Sequence, residues 1–175
     1  MPRLPFGDMG PVEVTWAPDL SDELILTPHL GAITLRLEDE IANVEEEGFG
    51  SNAVDGVITG SVCELEVPMA RSTLAQLAVI THGELDGFGN LLIPAFVGCG
   101  MYEESQPVLV KPVCNNVAST IRSEWILLYK CYPYRSFSLE FSRDAQRFHL
   151  AKFKVFVSQE SATFGKFYQY GYAIV

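Results

Sequence analysis

Residues 48–67 read GFGSNAVDGVITGSVCELEV. The first nine hold three glycines, a serine, an asparagine and an aspartate. That is loop chemistry, because glycine reaches backbone angles closed to other residues and short polar side chains bond their own backbone. From Val57 onward apolar and polar residues alternate, so Cys63, Leu65 and Val67 share one side of a strand and Glu64 and Glu66 the other. Upstream, AITLRLED at 32–39 alternates in the same way and EIANVEEE at 40–47 follows it. There Ile33, Leu35 and Leu37 lie opposite Thr34, Arg36 and Glu38, and the run ends in Glu45, Glu46 and Glu47. Two long strands joined by a glycine-rich loop point to a mainly β protein.

The rest of the chain agrees. Residues 12–16, 57–67, 108–114, 125–131, 136–141 and 150–157 read as strands. In the last, Ala151, Phe153, Val155 and Val157 face one way and Lys152 and Lys154 the other. One helix stands out: Ser72 as its cap, Leu74, Leu77 and Ala78 as the stripe packed on the core, and Gly83 at its end. The arm FGKFYQYGYAIV, 164–175, is too aromatic for an idle tail. With no repeat or linker, residues 1–175 read as one domain, mainly β with one packed helix.

Composition narrows the function. Hydrophobic residues are 48% and charged ones 19% of the 175, which suits a folded chain rather than a disordered one. The net charge of −10 argues against affinity for a phosphate backbone, which needs Lys and Arg to displace counterions. No apolar run approaches a membrane-spanning length and no secretory leader is visible, so the expectation is synthesis in the cytoplasm without membrane insertion. Cys63, Cys99, Cys114 and Cys131 have no C-x-x-C spacing and read as reduced, buried thiols.

Chemistry finds little footing. His29, His82 and His149 are not at metal-ligand spacing, and a pairing of Cys63 or Cys131 with His149 has no local support. GFGNLL at 87–92 and GFGSNA at 48–53 lack the Lys-Ser/Thr of a phosphate loop. The acidic runs Glu38-Asp39-Glu40, Glu45 to Glu47 and Glu103-Glu104 place neighbouring carboxylates on opposite faces of a strand, which does not make a converging acid–base pair. The expectation is a protein without catalytic residues, metal or cofactor. The acidic runs remain open to two readings, solvated strand ends or a surface that must be negative.

The order of features carries a resemblance. Glu47-Gly48, a flexible loop, Val54-Asp55, a strand with Thr59-Gly60, alternation into Val67-Pro68, then a helix opened by Ala70 and Thr73-Leu74 resembles the major tail tube proteins of long-tailed bacteriophages. MGPVEVTW at 9–16, LGAITLRL at 30–37, and FKVFVSQES with FGKFYQYG at the end are similar to that family's opening, inner strand and closing arm. Arg71 departs from it, standing where many relatives carry an acid, and residues 84–123 match most loosely.

The resemblance implies a β-sandwich or barrel-like tail-tube fold with a flanking helix, whose subunits form hexameric rings stacked head to tail. Each subunit would give about four strands to a common barrel, and 24 tilted strands would close on a circle roughly 40–50 Å across. It implies a ring-stacking loop near 45–56, with Glu46, Glu47, Gly48, Phe49, Gly50, Ser51, Asn52 and Asp55, and Phe49 as its apolar anchor. It implies a role in the virion tail, assembled in the host cytoplasm, with the tail terminator, tape measure and distal tail proteins as partners. DNA would pass through the lumen without specific binding, past polar strand faces carrying Thr34, Arg36, Glu38, Glu64 and Glu66. Lys152 and Lys154 would be awkward there if they face inward. Six copies at −10 each would bring about −60 to a ring, a charge that repels DNA. The alternatives are another ring protein of this architecture (terminator, baseplate ring or secretion tube), a β-barrel that binds an apolar ligand, or an enzyme on a β scaffold.

Overall fold

The alternating runs become strands because their polar faces can meet water while their apolar faces meet each other. A computed structural model describes residues 11–21, 23–26, 32–45, 53–69, 72–95, 100–114, 117–135 and 149–171. In chain order these form β1 (Val12–Trp16), β2 (Leu24–Ile25), β3 (Thr34–Glu45), β4 (Ala53–Met69), α1 (Leu74–Thr81), β5 (Glu84–Leu85) and β6 (Leu91–Leu92). Then follow β7 (Gln106–Cys114), β8 (Val117–Ala118), a 3-10 turn at Arg122–Glu124, β9 (Ile126–Tyr134), β10 (His149–Phe156) and β11 (Tyr168–Tyr170). The protein is mainly β. The strand expected at 136–141 lies outside the described residues.

Among the described residues one antiparallel sheet of nine strands runs in the order β2-β1-β7-β9-β10-β4-β3, with β11 beside β9 and β8 beside β7. β5 and β6 form a separate small hairpin. The long sheet is open, running from β2 at one end to β3 at the other. It is also strongly coiled. β1 and β10 are three strand spacings apart, about 14 Å in a flat sheet, yet the rings of Trp16 and Phe153 lie 5.7 Å apart. A sandwich-like core therefore arises by curling one hydrogen-bonded sheet rather than by stacking two. Val14, Leu65, Val67, Val108, Leu128 and Phe153 fill it, all fully buried.

The helix forms where expected, but its details differ. Its cap is Thr73 rather than Ser72: the Thr73 hydroxyl accepts from Gln76 N at 3.2 Å and the Gln76 side chain accepts from Thr73 N at 2.9 Å. This reciprocal pair satisfies two donors that a helix start leaves open. Of the expected stripe of Leu74, Leu77 and Ala78, Leu77 does pack against the core, but the most deeply buried positions are others. Leu74 is exposed and Leu77 only half-buried, whereas Gln76, Ile80 and Thr81 are buried. Gln76 tolerates burial because its amide also donates to Ile25 O at 2.8 Å. The helix ends at His82, which takes the left-handed conformation itself (φ 50°), while Gly83 N closes on Ala78 O at 2.8 Å.

The aromatic arm is docked, at least through β11. Tyr168, Gln169 and Tyr170 pair with Leu128, Leu127 and Ile126 of β9. The Tyr129 hydroxyl donates to the Gln169 side chain at 2.7 Å.

Candidate assembly surface

Strand register decides which of the expected polar residues stand together. Thr34, Glu66, Lys152 and Tyr134 form one row across β3, β4, β10 and β9. Arg36, Glu64, Lys154 and Tyr132 form the next row. Glu38 stands opposite Val62 one step further along the same face. Thr34, Arg36, Glu38, Glu64 and Glu66, expected on polar strand faces, therefore stand on the same face.

The two lysines share it too, which changes the electrostatics. Lys152 Nζ lies 2.9 Å from Glu66, Arg36 lies 2.6 Å from Glu38, and the Tyr134 hydroxyl donates to Glu64 at 3.3 Å. The bond to Glu66 and its charge hold the Lys152 ammonium above its ordinary pKa. Burial first, and then the Glu64 charge, push up the Tyr134 phenol, keeping it a neutral donor. Across this face Glu38, Glu64 and Glu66 are matched by Arg36, Lys152 and Lys154. It is a paired ladder rather than a sheet of acid.

Beyond the core the two longest strands leave the sheet as a ribbon. β10 accompanies β4 only as far as Cys63, so among the described residues 53–62 pair with β3 alone. Ten residues of strand reach about 33 Å. Two register shifts bend the ribbon: Glu40 pairs with Gly60 but Ile41 with Ile58, and Val44 pairs with Asp55 but Glu45 with Ala53. Thr59, the residue passed over at the first shift, bonds back to Glu40 O at 3.1 Å. Such bulges increase local twist.

The ribbon is apolar on both sides. Leu37, Ile41 and Ile58 continue the core-side face, and Val44, Val57 and Val62 lie on the other. All six are exposed, Ile41 to 62% and Ile58 to 61%. A lone two-stranded ribbon is marginally stable in water, and an exposed edge beside apolar side chains is a template for another chain.

Of the expected stacking loop, Glu46, Glu47, Gly48, Phe49, Gly50, Ser51 and Asn52 lie outside the described residues. Asp55 does not belong to a loop: it sits in β4 opposite Val44, because β4 begins at Ala53 rather than at Val57. The strand extends this far into loop-like sequence because pairing with β3 supplies hydrogen bonds that local composition does not foretell.

Cys63, Cys131, His82 and His149 are structural in setting, while Cys99 and the side chain of Cys114 lie outside what the structure describes. Cys63 and Cys131 flank Val155 from opposite sides, both buried and unbonded to each other. Burial and then the Glu64 charge push the Cys63 thiol up to about 11, and burial holds Cys131 well above its ordinary value. Neither supplies thiolate at neutral pH. His82 Nε2 lies 2.6 Å from Pro133 O and must donate, since a carbonyl only accepts, and its ring stacks on Tyr132 at 4.5 Å. Burial lowers the pKa of His149, and His29 lies outside the described residues. Among the described residues no group of three His, Cys, Asp or Glu could hold a metal ion, and no helix is long and apolar enough to cross a membrane.

No family model matches the chain, and no curated protein matches it.

Proposed function

We propose that this chain is a structural, self-assembling subunit: hexameric rings of it stack head to tail into a bacteriophage tail tube, a channel for DNA. The observation that supports it most is the β3–β4 ribbon, which leaves the core with an open edge, unpaired beyond Cys63 among the described residues, and with apolar side chains on both sides. Neighbouring copies that continue the sheet would satisfy that edge and cover Ile41 and Ile58. A closed ring has no edge left for uncontrolled pairing. The resemblance in feature order supplies the ring and tube form.

On this reading the charged ladder of β3, β4 and β10 is the stretch presented to DNA. Its acids hold Lys152 and Arg36 in ion pairs, so phosphates in transit meet few uncommitted cations. Slip then comes from local pairing together with the negative charge of the whole ring, not from a purely acidic wall. Residues 46–52 supply the contact between rings, and the terminator, tape measure and distal tail proteins cap and line the tube.

Negative-stain microscopy of the purified protein tests this. Long tubes of uniform width are the expected result. Single rings that do not lengthen would favour a terminator or baseplate ring, and a monomer with a bound small molecule would overturn assembly as the function.

A further inference from the structure

The chain contains two Asp-Gly dipeptides, Asp55-Gly56 and Asp86-Gly87. Glycine after aspartate removes the side chain that would otherwise hinder attack of the backbone nitrogen on the preceding carboxyl group. The two sites share this chemistry and differ in geometry.

Asp86 is clamped. Its Oδ1 accepts from Phe88 N at 2.9 Å and from Asn90 N at 2.7 Å, and its Oδ2 accepts from the Asn90 side chain at 2.8 Å. Both oxygens are thus drawn past Gly87 toward the far side of the turn. The Asn90 side chain first, and its backbone next, hold this carboxyl below the usual range, so its uncharged form is scarce.

Asp55 is the reverse case. Its Oδ1 takes a hydrogen bond from the very nitrogen that would attack, Gly56 N, at 2.7 Å. The carboxyl carbon is one bond from that oxygen, so the reacting groups are already in near contact. The site is exposed, in a ribbon that among the described residues has strand on one side only. Such segments open locally at low cost.

We infer that Asp55-Gly56 is a site of spontaneous covalent modification, isomerising through a cyclic imide to isoaspartate, while Asp86-Gly87 is protected by its turn. In the step, Gly56 N bonds to the side-chain carboxyl carbon of Asp55 in its acid form. The nitrogen's proton and the carboxyl hydroxyl leave together as water, giving a five-membered succinimide. Water then adds back at either carbonyl. Opening the new C–N bond regenerates aspartate. Opening the original bond between the Asp55 backbone carbonyl carbon and nitrogen routes the main chain through the side chain. No oxidant or second reactant is needed, and the net change in mass is zero.

The product lengthens the main chain by one methylene inside β4. The extra atom puts the N–H and C=O groups on either side of it out of phase with one another, so pairing between Ala53–Ile58 and β3 is disrupted there. The ribbon would age while the core, held from Cys63 onward by β10, would stay folded.

The test is to warm the purified full-length protein at mildly acidic to neutral pH and map isoaspartate by peptide fragmentation and by methyl transfer from an isoaspartyl methyltransferase. Residue 55 should convert roughly tenfold faster than residue 86. Asp55→Glu, whose ring would need an extra carbon, should abolish the signal at 55. Asn90→Ala frees Oδ2 while leaving the two backbone bonds to Oδ1, and should raise conversion at 86 severalfold. Equal rates at the two sites, faster conversion at 86, or no response of 86 to Asn90→Ala would each overturn the inference.

Discussion

Cys63 and Gly83 show how much a single position can decide. Cys63 packs beside Val155 with its thiol held at about 11, against an ordinary value near 9, by burial and by the neighbouring Glu64. In the unfolded chain that thiol ionises first, so at alkaline pH the unfolded state binds fewer protons than the native one. This contribution to stability is therefore lost as pH rises from about 9 toward 11. Alkylation at neutral pH should leave Cys63 and Cys131 unmodified until denaturant exposes them, as read by peptide mass mapping. Rapid native labelling of either would show that it is not sealed in the sheet. Gly83 is demanded by space: a Cβ there would meet Leu91 Cδ1 at 2.5 Å and Leu92 O at 2.9 Å. Gly83→Ala should lower stability by about 1–3 kcal/mol, a backbone carbonyl being unable to retreat as a side chain can. A denaturant midpoint equal to wild type would contradict this close approach of α1 and β6.

At the scale of elements, the β3–β4 ribbon and the helix behave in opposite ways. The helix is held by side chains that reach the sheet, above all Gln76 on Ile25 O. The ribbon holds itself only by its own ladder beyond Cys63, among the described residues. Replacing Ile41 and Ile58 by Lys should thus cost the isolated subunit little, within about 0.5 kcal/mol for each exposed site. The same pair should abolish assembly, because two charges would be buried at every junction. Circular dichroism melting beside microscopy separates the two effects. Normal tubes from the double Lys variant would remove the ribbon from the assembly interface. The cap expected at Ser72 falls one residue early, although Thr-x-x-Gln at 73–76 has the form of a capping box, and the buried helix face was missed as well. Leu74 looked like core and is exposed, because the buried side of the helix carries Gln76, Ile80 and Thr81, with Leu77 and Val79 half-buried against the core. An eight-residue helix with apolar residues nearly all round has no strong stripe to read.

On the proposed tube reading, the question for the whole molecule is how a protein of net charge −10 would let DNA pass. Glu38 and Glu66 are held in ion pairs and Glu64 stands opposite Lys154 in register, so the informative change is neutralisation rather than reversal. Glu64→Gln with Glu66→Gln keeps an oxygen for Tyr134 and Lys152 to bond but removes the charge that holds Lys152 and the negative charge opposite Lys154, whose exposed ammonium lies over the Phe156 ring. Exposed ion pairs of this kind are worth at most about 1 kcal/mol, so folding and tail length should be retained. Phosphates in the channel would then find uncommitted Lys, and ejection from purified virions should slow, recovering as salt rises. Unchanged ejection at all salt concentrations, from tails of normal length, would place this face away from the DNA.

Alternation alone determined much of this. The partition of Thr34, Arg36 and Glu38 from Ile33, Leu35 and Leu37, and of Glu64 and Glu66 from Cys63, Leu65 and Val67, follows from the two-residue period of a strand and needs no partner to be known. The mainly β class and the single packed helix follow from the same local signals. Tertiary structure decided what depends on which strand meets which. The placement of Lys152 and Lys154 on the face of Glu64 and Glu66 is a matter of register between segments more than eighty residues apart. So is the entry of Asp55 into β4, where pairing with Val44 outweighs a loop-like composition. The same holds for the coil that brings Trp16 onto Phe153. Local periodicity fixes faces because it is written in neighbouring residues, while register and curvature come from contacts between distant ones, whose energies no single stretch of sequence contains.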